Sequence, residues 1–597
     1  MNSLIQNIYQ NFYFSFIVSI IIVFLLISLL LMKKIFCSLF IIFLSSSTTA
    51  KAQYTPKNTS PSEVQKAYAW VNTTYNSLSQ DEKIGQLFIV ALYTNKGEDF
   101  ISNIRNIVEK DKIGGLILMQ DDPVRHINLV NEFQSKSKVP MMIGMDAEWG
   151  IYQRIAAAHK FPWAMTLGAI QDKNLIYQMA QKIAADCKRL GVNWDFAPTV
   201  DVNTNPNNPI IGNRSFGSEV KNVVSSATAY ANGLQDSNIL AAIKHFPGHG
   251  DTSTDSHLDL PVVPHDLTRL NAVELAPYYE MAHSGIGGVM VAHLYVPTVE
   301  NTKGIPASVS KNIITGVLKD KIGYKGLIIT DALNMGAVAN KYQPGVLDAM
   351  AFKAGNDIML FSQDVATGKK LIQEALNKGE ITQARLEESV KKILMAKYYL
   401  GLTTYTPKNT ANVLADINNE SHKILVQNLY ANALTLLKNK KDLLPLEKDE
   451  SIYYIPLEEA PYQTFVQRLS QNRNIIIKKA SEINTIPSHS TVIVGFHKDN
   501  SSAYKPYKIS NASKKILQDV SKKNKVILTV FGSPYALKDV DTKKTSTVLV
   551  AYENNDDAMH VAADALLGKT KIHGKLPVLV NDELQAGMGI TLEAVSK

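Results

Sequence analysis

Two cysteines in 597 residues are too few for a disulfide framework. Cys37 falls in an N-terminal apolar run that reads as a removed leader, which excludes a mature intramolecular disulfide and leaves Cys187 as a small buried hydrophobe. Charge is sparse as well. Only 19% of residues are charged, the formal net charge is +8, and Lys and Arg are scattered rather than gathered into a stripe interleaved with aromatics, so nucleic-acid binding is excluded. There is no repeat of solenoid type and no extended low-complexity tract. With 45% hydrophobic residues over this length, the chain reads as globular and as too long for one ordinary core, so two or more domains are expected.

The first 31 residues contain neither Lys nor Arg, whereas Met32-Lys33-Lys34 opens a short apolar run at 35–44, a Ser/Thr tract and Ala50-Lys51-Ala52. Charge, short apolar region and small residues in that order make a secretory signal with a cut before Gln53, and Met32 reads as the true start. The competing reading keeps 12–32 as a membrane anchor, since its length spans a bilayer. Cys37 lies inside the apolar region rather than at its end, which argues against a lipid-anchored cysteine. The protein is expected in the periplasm or cell envelope, or secreted.

Beyond residue 65, short apolar runs rich in β-formers recur at 86–92, 115–119, 141–145, 192–197, 239–243, 288–292, 327–330 and 357–361, each followed by a helix-like pattern. Near-continuous apolar strands alternating with helices indicate a parallel sheet covered on both faces, and eight such units fit a (β/α)8 barrel over 65–400. Residues 401–420 turn polar and irregular and read as a linker. A smaller α/β sandwich domain is expected over 421–597, with strands at 452–455, 491–496, 526–531 and 547–552.

The chemistry concentrates at strand ends. Asp146, Asp201, Lys244-His245, His293 and Asp331 each fall at or just after the end of a run, the face on which barrel active sites are built. The segment 244–257 holds Lys244, His245, His249, Asp251, Asp255 and His257 around Gly248 and Gly250. Glycines let backbone approach a ligand, and imidazoles and carboxylates exchange protons near neutral pH. A lone Asp at a strand end, such as Asp331, is equally read as a helix N-cap, and His293 as a strand-capping structural residue. His245, His249, Asp255 and His257 match none of the common zinc spacings, so a metal-dependent hydrolase is disfavoured and no cofactor is implied.

The segment KHFPGHGDTSTDSHLDLP, from Lys244 to Pro261, resembles the hallmark of bacterial family 3 glycoside hydrolases in their β-N-acetylglucosaminidase (β-hexosaminidase) branch. The apolar strand ending in Thr330-Asp331 resembles the family's nucleophile segment. Asn213-Arg214-Ser215-Phe216-Gly217 and Asp146-Ala147-Glu148-Trp149-Gly150 resemble its sugar-binding segments, and the likeness runs from about Leu78 to the chain end. By this resemblance Asp331 is the nucleophile and His257, held by Asp255, the acid/base. Asp146, Arg154, Arg214, Lys244 and His245 would hold the hydroxyls of the cleaved sugar.

One stretch departs from the pattern. Where many relatives read Asp-Gln-Glu-Gly-Gly-Arg, this chain has Trp149 and Ile151. Trp149 reads either as a sugar-stacking platform or as core. The resemblance implies an exo-acting, retaining enzyme on terminal β-linked N-acetylglucosamine of muropeptides or related glycans, with no obligate protein partner. A β-glucosidase of the same family is the alternative. Many of those take a carboxylate acid/base from a later segment, so the Asp255-x-His257 pair favours the amino-sugar enzyme. A non-catalytic cell-wall sugar-binding protein would most naturally have lost Asp331 or His257, and both are present.

Overall fold

The computed structural model describes residues 54–56, 59–447 and 451–595. The leader, with Met32, Cys37 and the cut before Gln53, lies outside the described residues. Among those described, no helix is long and apolar enough to cross a membrane.

Eight short strands form the first sheet: β1 (Phe88–Leu92), β2 (Gly115–Leu118), β3 (Met142–Met145), β4 (Trp194–Asp195), β5 (Leu240–Phe246), β6 (Gly288–Val291), β7 (Leu327–Thr330) and β8 (Met359–Leu360). Every pairing is parallel and the order is β7-β6-β5-β4-β3-β2-β1-β8. The two ends of that order meet, because Ile329 bridges Ile358 and Thr330 N–H donates to the Ile358 carbonyl at 3.1 Å. The result is a nearly closed barrel. All eight strands are buried throughout, so both faces favour apolar side chains, and the ionisable exceptions, Asp195 in β4 and Lys244-His245 in β5, stand at the C-terminal ends.

Helices cover the outside. The helix Lys173–Arg189 starts on Asp172, whose carboxylate caps the Asn174 N–H. It buries Ile176, Met179, Ala180, Ile183, Ala184 and Cys187 at helical spacing. Burial pushes the Cys187 thiol well up in pKa, as suits an inert core residue. The neighbouring helix Val220–Asp236 packs against it so tightly at Gly233 that a Cβ there would lie 2.4 Å from the Tyr177 carbonyl. Only glycine fits that contact.

The second sheet has six strands rather than the four expected. They are β9 (Thr435–Asn439), β10 (Ile452–Leu457), β11 (Ile475–Ile477), β12 (Thr491–His497), β13 (Lys525–Phe531) and β14 (Thr547–Val550), in the order β11-β10-β12-β13-β14-β9. The two unexpected strands are the edges, and β9 runs antiparallel to β14. The stretch 401–420 is also more than a loose connection. It carries the short helix Val413–Asp416, buries Ile417, and is held by Arg189, which donates to the Asn409 and Ala411 carbonyls and pairs with Asp416.

Polar contacts seat the second domain on the barrel. Glu553, fully buried beyond β14, accepts from the Trp163 N–H at 2.8 Å, the Thr166 hydroxyl at 2.9 Å and the Lys160 ammonium at 3.0 Å. Tyr535 O–H donates to Asn203 Oδ1 at 2.6 Å, and Ser218 N–H to the Pro577 carbonyl. The loop after β12 thereby comes to lie beside the mouth of the barrel.

Candidate active site

A cavity of about 360 Å³ opens at the C-terminal ends of the strands. Its wall includes Asp146, Arg154, Arg214, Lys244, His245, His257 and Asp331, so seven of the eight expected site residues share one space. Asp255 stands behind His257. Lys244 and His245 lie within the last residues of β5 rather than beyond it.

The floor is an ion-pair lattice. Lys244 Nζ lies 2.9 Å from both Asp146 Oδ1 and Glu148 Oε1. Arg154 pairs with the other oxygen of Asp146, and Arg214 grips Glu148 with Nη2 at 2.6 Å and Nε at 2.9 Å. His245 sits between Arg214 Nη2 at 3.2 Å and Asp201 Oδ2 at 2.7 Å, and Asp201 also accepts the His249 N–H. Planar guanidinium on carboxylate fixes direction as well as charge. Both arginines are thus salt-bridge partners and cavity walls at once, and the Arg154 Nε–H has no acceptor among the described residues.

Glu148 and Tyr504 line the site without standing out in the sequence, and the strand-end Asp201 lies behind it as the partner of His245. Glu148 was visible only as part of an altered segment, yet it is the counter-charge for both Arg214 and Lys244. The available signal was a surplus of cations, with Lys244 near a strand end and Arg154 and Arg214 in the loops beyond β3 and β4. Trp149, by contrast, does not line the cavity. It is half-buried with its ring centroid 4.4 Å from that of Trp163, edge to face, so it packs the barrel top.

Burial raises the pKa of Asp146, but Lys244 and Arg154 outweigh it and hold the carboxyl at about 2. Glu148 is likewise depressed, with burial opposed by Arg214 and Lys244, and Asp201 with burial opposed by His245 and His249. Groups depressed on folding contribute stability that is full above their unfolded pKa of about 4 and is lost as pH falls through the folded value. Unfolding free energy should therefore drop between about pH 5 and pH 2, as urea titrations at stepped pH would measure, and a flat profile there would contradict the lattice.

Asp331 leaves β7 with its N–H donating to the Val291 carbonyl at 2.8 Å and its Oδ1 accepting the Ala332 N–H at 2.8 Å. Burial raises its pKa, but the imidazoles of His245 and His293, the Ala332 N–H and the Lys244 ammonium favour the anion and bring it below the usual value. His293 is buried with Nε2–H on the Ala332 carbonyl at 3.0 Å and Nδ1 on the Ser308 hydroxyl at 2.7 Å. It buttresses the backbone after Asp331 and is not part of the cavity wall.

His257 is exposed on the loop after β5. Its Nδ1–H and its backbone N–H both donate to Asp255 Oδ1 at 2.8 Å, which leaves Nε2 for a proton exchanged with a ligand. The loop is tied down around this pair. Asn208 donates to the His249 carbonyl at 2.8 Å and Asn205 to the Thr252 carbonyl at 3.1 Å, and His265 pairs with Asp251 at 2.9 Å. Its tip rests on the segment after Asp331, where a Cβ on Gly336 would lie 2.5 Å from the His257 carbonyl oxygen. Gly336→Ala should therefore push His257 out of place and lower kcat by roughly 100-fold, while the melting temperature moves little. Unchanged kcat would show that the loop does not depend on this contact.

His245, His249, Asp255 and His257 do not converge as a ligand set, since His249 is engaged by Thr252 and Ser256 and His245 by Asp201. Among the described residues the group that does converge is Asp251, His265 and Glu274, and Arg269 already places its guanidinium on both carboxylates.

A nearly closed parallel barrel with a carboxylate at the end of β7 and a carboxylate-held histidine on the loop after β5 fits a glycosidase of the barrel class. Comparison with known proteins gives the family. Residues 79–396 match the glycosyl hydrolase family 3 N terminal domain and 434–589 its C-terminal domain, and the chain belongs to glycosyl hydrolase family 3. It is 30% identical over 551 residues to a protein named β-hexosaminidase A from Pseudoalteromonas piscicida, covering 80% of this chain and 91% of the relative. A protein of Cellulomonas fimi named β-N-acetylglucosaminidase/β-glucosidase is 29% identical over 64% of this chain and 68% of its own. A solved family 3 β-N-acetylglucosaminidase from Paenibacillus sp. str. FPU-7 superposes with a TM-score of 0.69 at 28% identity, over 85% of this chain and 99% of that one.

Proposed function

We propose that this protein is an exported, exo-acting, retaining β-N-acetylglucosaminidase that removes terminal β-linked N-acetylglucosamine from peptidoglycan-derived fragments or related glycans. The observation that carries the reading is the pairing of His257 with Asp255 beside the same cavity that holds Asp331. The names of the relatives support the amino sugar, and the leader-like sequence before Gln53 supports export. A volume of about 360 Å³ suits one sugar, consistent with removal of a terminal residue.

In the first step an Asp331 oxygen attacks the anomeric carbon as the bond to the leaving oxygen breaks, and His257 Nε2 gives that oxygen its proton. Water then attacks the same carbon from the side the aglycone left. His257 takes the water proton, and the Asp331 carboxylate is released. Asp255 keeps the ring oriented with Nδ1 protonated and stabilises its charged form. The floor of Asp146, Arg154, Lys244 and the Arg214–Glu148 pair presents charged donors and acceptors to the sugar hydroxyls, which tells their stereochemistry apart.

The assay that tests this compares release of nitrophenol from 4-nitrophenyl β-N-acetylglucosaminide and from the matching β-glucoside. The reading expects clear preference for the amino sugar. A preference for the glucoside, the second activity in the name of the Cellulomonas fimi relative, would move the protein to the β-glucosidase side of the family. N-terminal sequencing of the mature protein tests export, with Gln53 expected as the first residue.

A further inference from the structure

The catalytic cavity does not end at its mouth. A second, larger groove of about 590 Å³ runs between the barrel loop 206–213 and the loop 503–508 of the second domain, and Ile210 and Tyr504 line both spaces. The two spaces therefore adjoin at Ile210 and Tyr504, the first built on the barrel and the second shared by the domains. The walls of the groove are held in place, since Tyr507 O–H donates to Asn207 Oδ1 at 3.3 Å and its ring packs 5.7 Å from that of Tyr535, which is itself bonded to Asn203.

The composition of the groove points to its occupant. Its lining holds two lysines, Lys505 and Lys508, and no carboxylate. Lys505 is paired with Asp499 at 2.8 Å, whereas Lys508 is exposed and makes no ion pair among the described residues. Tyr504, half exposed at the junction, offers a ring face of the kind on which a sugar packs. We propose that this groove receives the aglycone sugar and that Lys508 selects an aglycone carrying a carboxylate. The proposal rests on the glycosidase reading above, because it takes the bond to be cut at the junction of the two spaces. Tyr504 packs on the sugar next to that bond, and Lys508 meets the acid group further out.

The test uses the full-length protein and two substrates that differ at one acid group: N-acetylglucosamine β-1,4-linked to N-acetylmuramic acid, and the methyl ester of its lactyl group, which removes the charge. The free acid should be cleaved with kcat/KM about fivefold higher than the ester, a size typical of one partly exposed charge pair. Lys508→Ala should abolish that ratio and Lys508→Glu should invert it, while 4-nitrophenyl β-N-acetylglucosaminide, which carries no acid, keeps its rate in both variants. Equal handling of acid and ester by the unmodified protein, or a ratio unmoved by Lys508→Glu, overturns the proposal. Failure to cleave the nitrophenyl substrate sinks the enzymatic reading instead. The groove is then judged by calorimetric affinity for N-acetylmuramic acid against its methyl ester, where the acid should bind more tightly and equality counts against Lys508.

Discussion

Asp331→Asn should lower kcat on 4-nitrophenyl β-N-acetylglucosaminide by about 10⁴-fold or more, the scale on which covalent catalysis fails when its nucleophile is removed. The amide keeps the shape and can still accept the Ala332 N–H bond now made by Asp331 Oδ1, so the fold should survive and the melting temperature should change little. It cannot form the glycosyl ester. Steady-state kinetics on protein checked by thermal melting separates the two effects, and a variant retaining a tenth of the activity would remove Asp331 from the role. The depressed pKa of Asp331 adds a second expectation. The carboxylate should stay ionised into mildly acid solution, so a loss of activity due to its protonation belongs below the ordinary Asp value of about 3.9.

His257→Ala should cost about 10²- to 10⁴-fold in kcat on substrates with a sugar aglycone, the range of a lost general acid/base. The cost should shrink on a nitrophenyl glycoside, because nitrophenolate leaves without needing a proton from the enzyme. That dependence on the leaving group distinguishes a proton donor from a residue that only shapes the cavity, which would affect both substrates alike. Asp255→Asn should show the same pattern more weakly, since the amide still holds the ring but no longer stabilises its charge. An identical loss on both substrates for His257→Ala would assign the proton to another group.

The barrel strands were legible because a parallel strand buried on both faces favours apolar side chains, so the runs stand out even where β4 and β5 carry buried polar residues near their ends. Edge strands obey a weaker rule. In β9 the outer half, Leu437-Lys438-Asn439, is only partly buried, and β11 is three residues long with no fully buried position, so neither carries a run long enough to stand out. At the site, Asp331 and His257 announce themselves through local motifs. Glu148 does not, because its role is set by Lys244 arriving from the end of β5 and Arg214 from the loop after β4. Tyr504 is further from legibility still, since nothing near it in the sequence tells that its loop reaches the barrel mouth.

Asp331 as a covalent nucleophile is the claim on which the mechanism turns, and a slow fluorinated N-acetylglucosaminyl substrate tests it most directly. Incubation should add one glycosyl mass to the protein, and peptide mapping should place the added mass on Asp331. A label on any other residue, or turnover with inverted anomeric configuration and no label, would contradict the account.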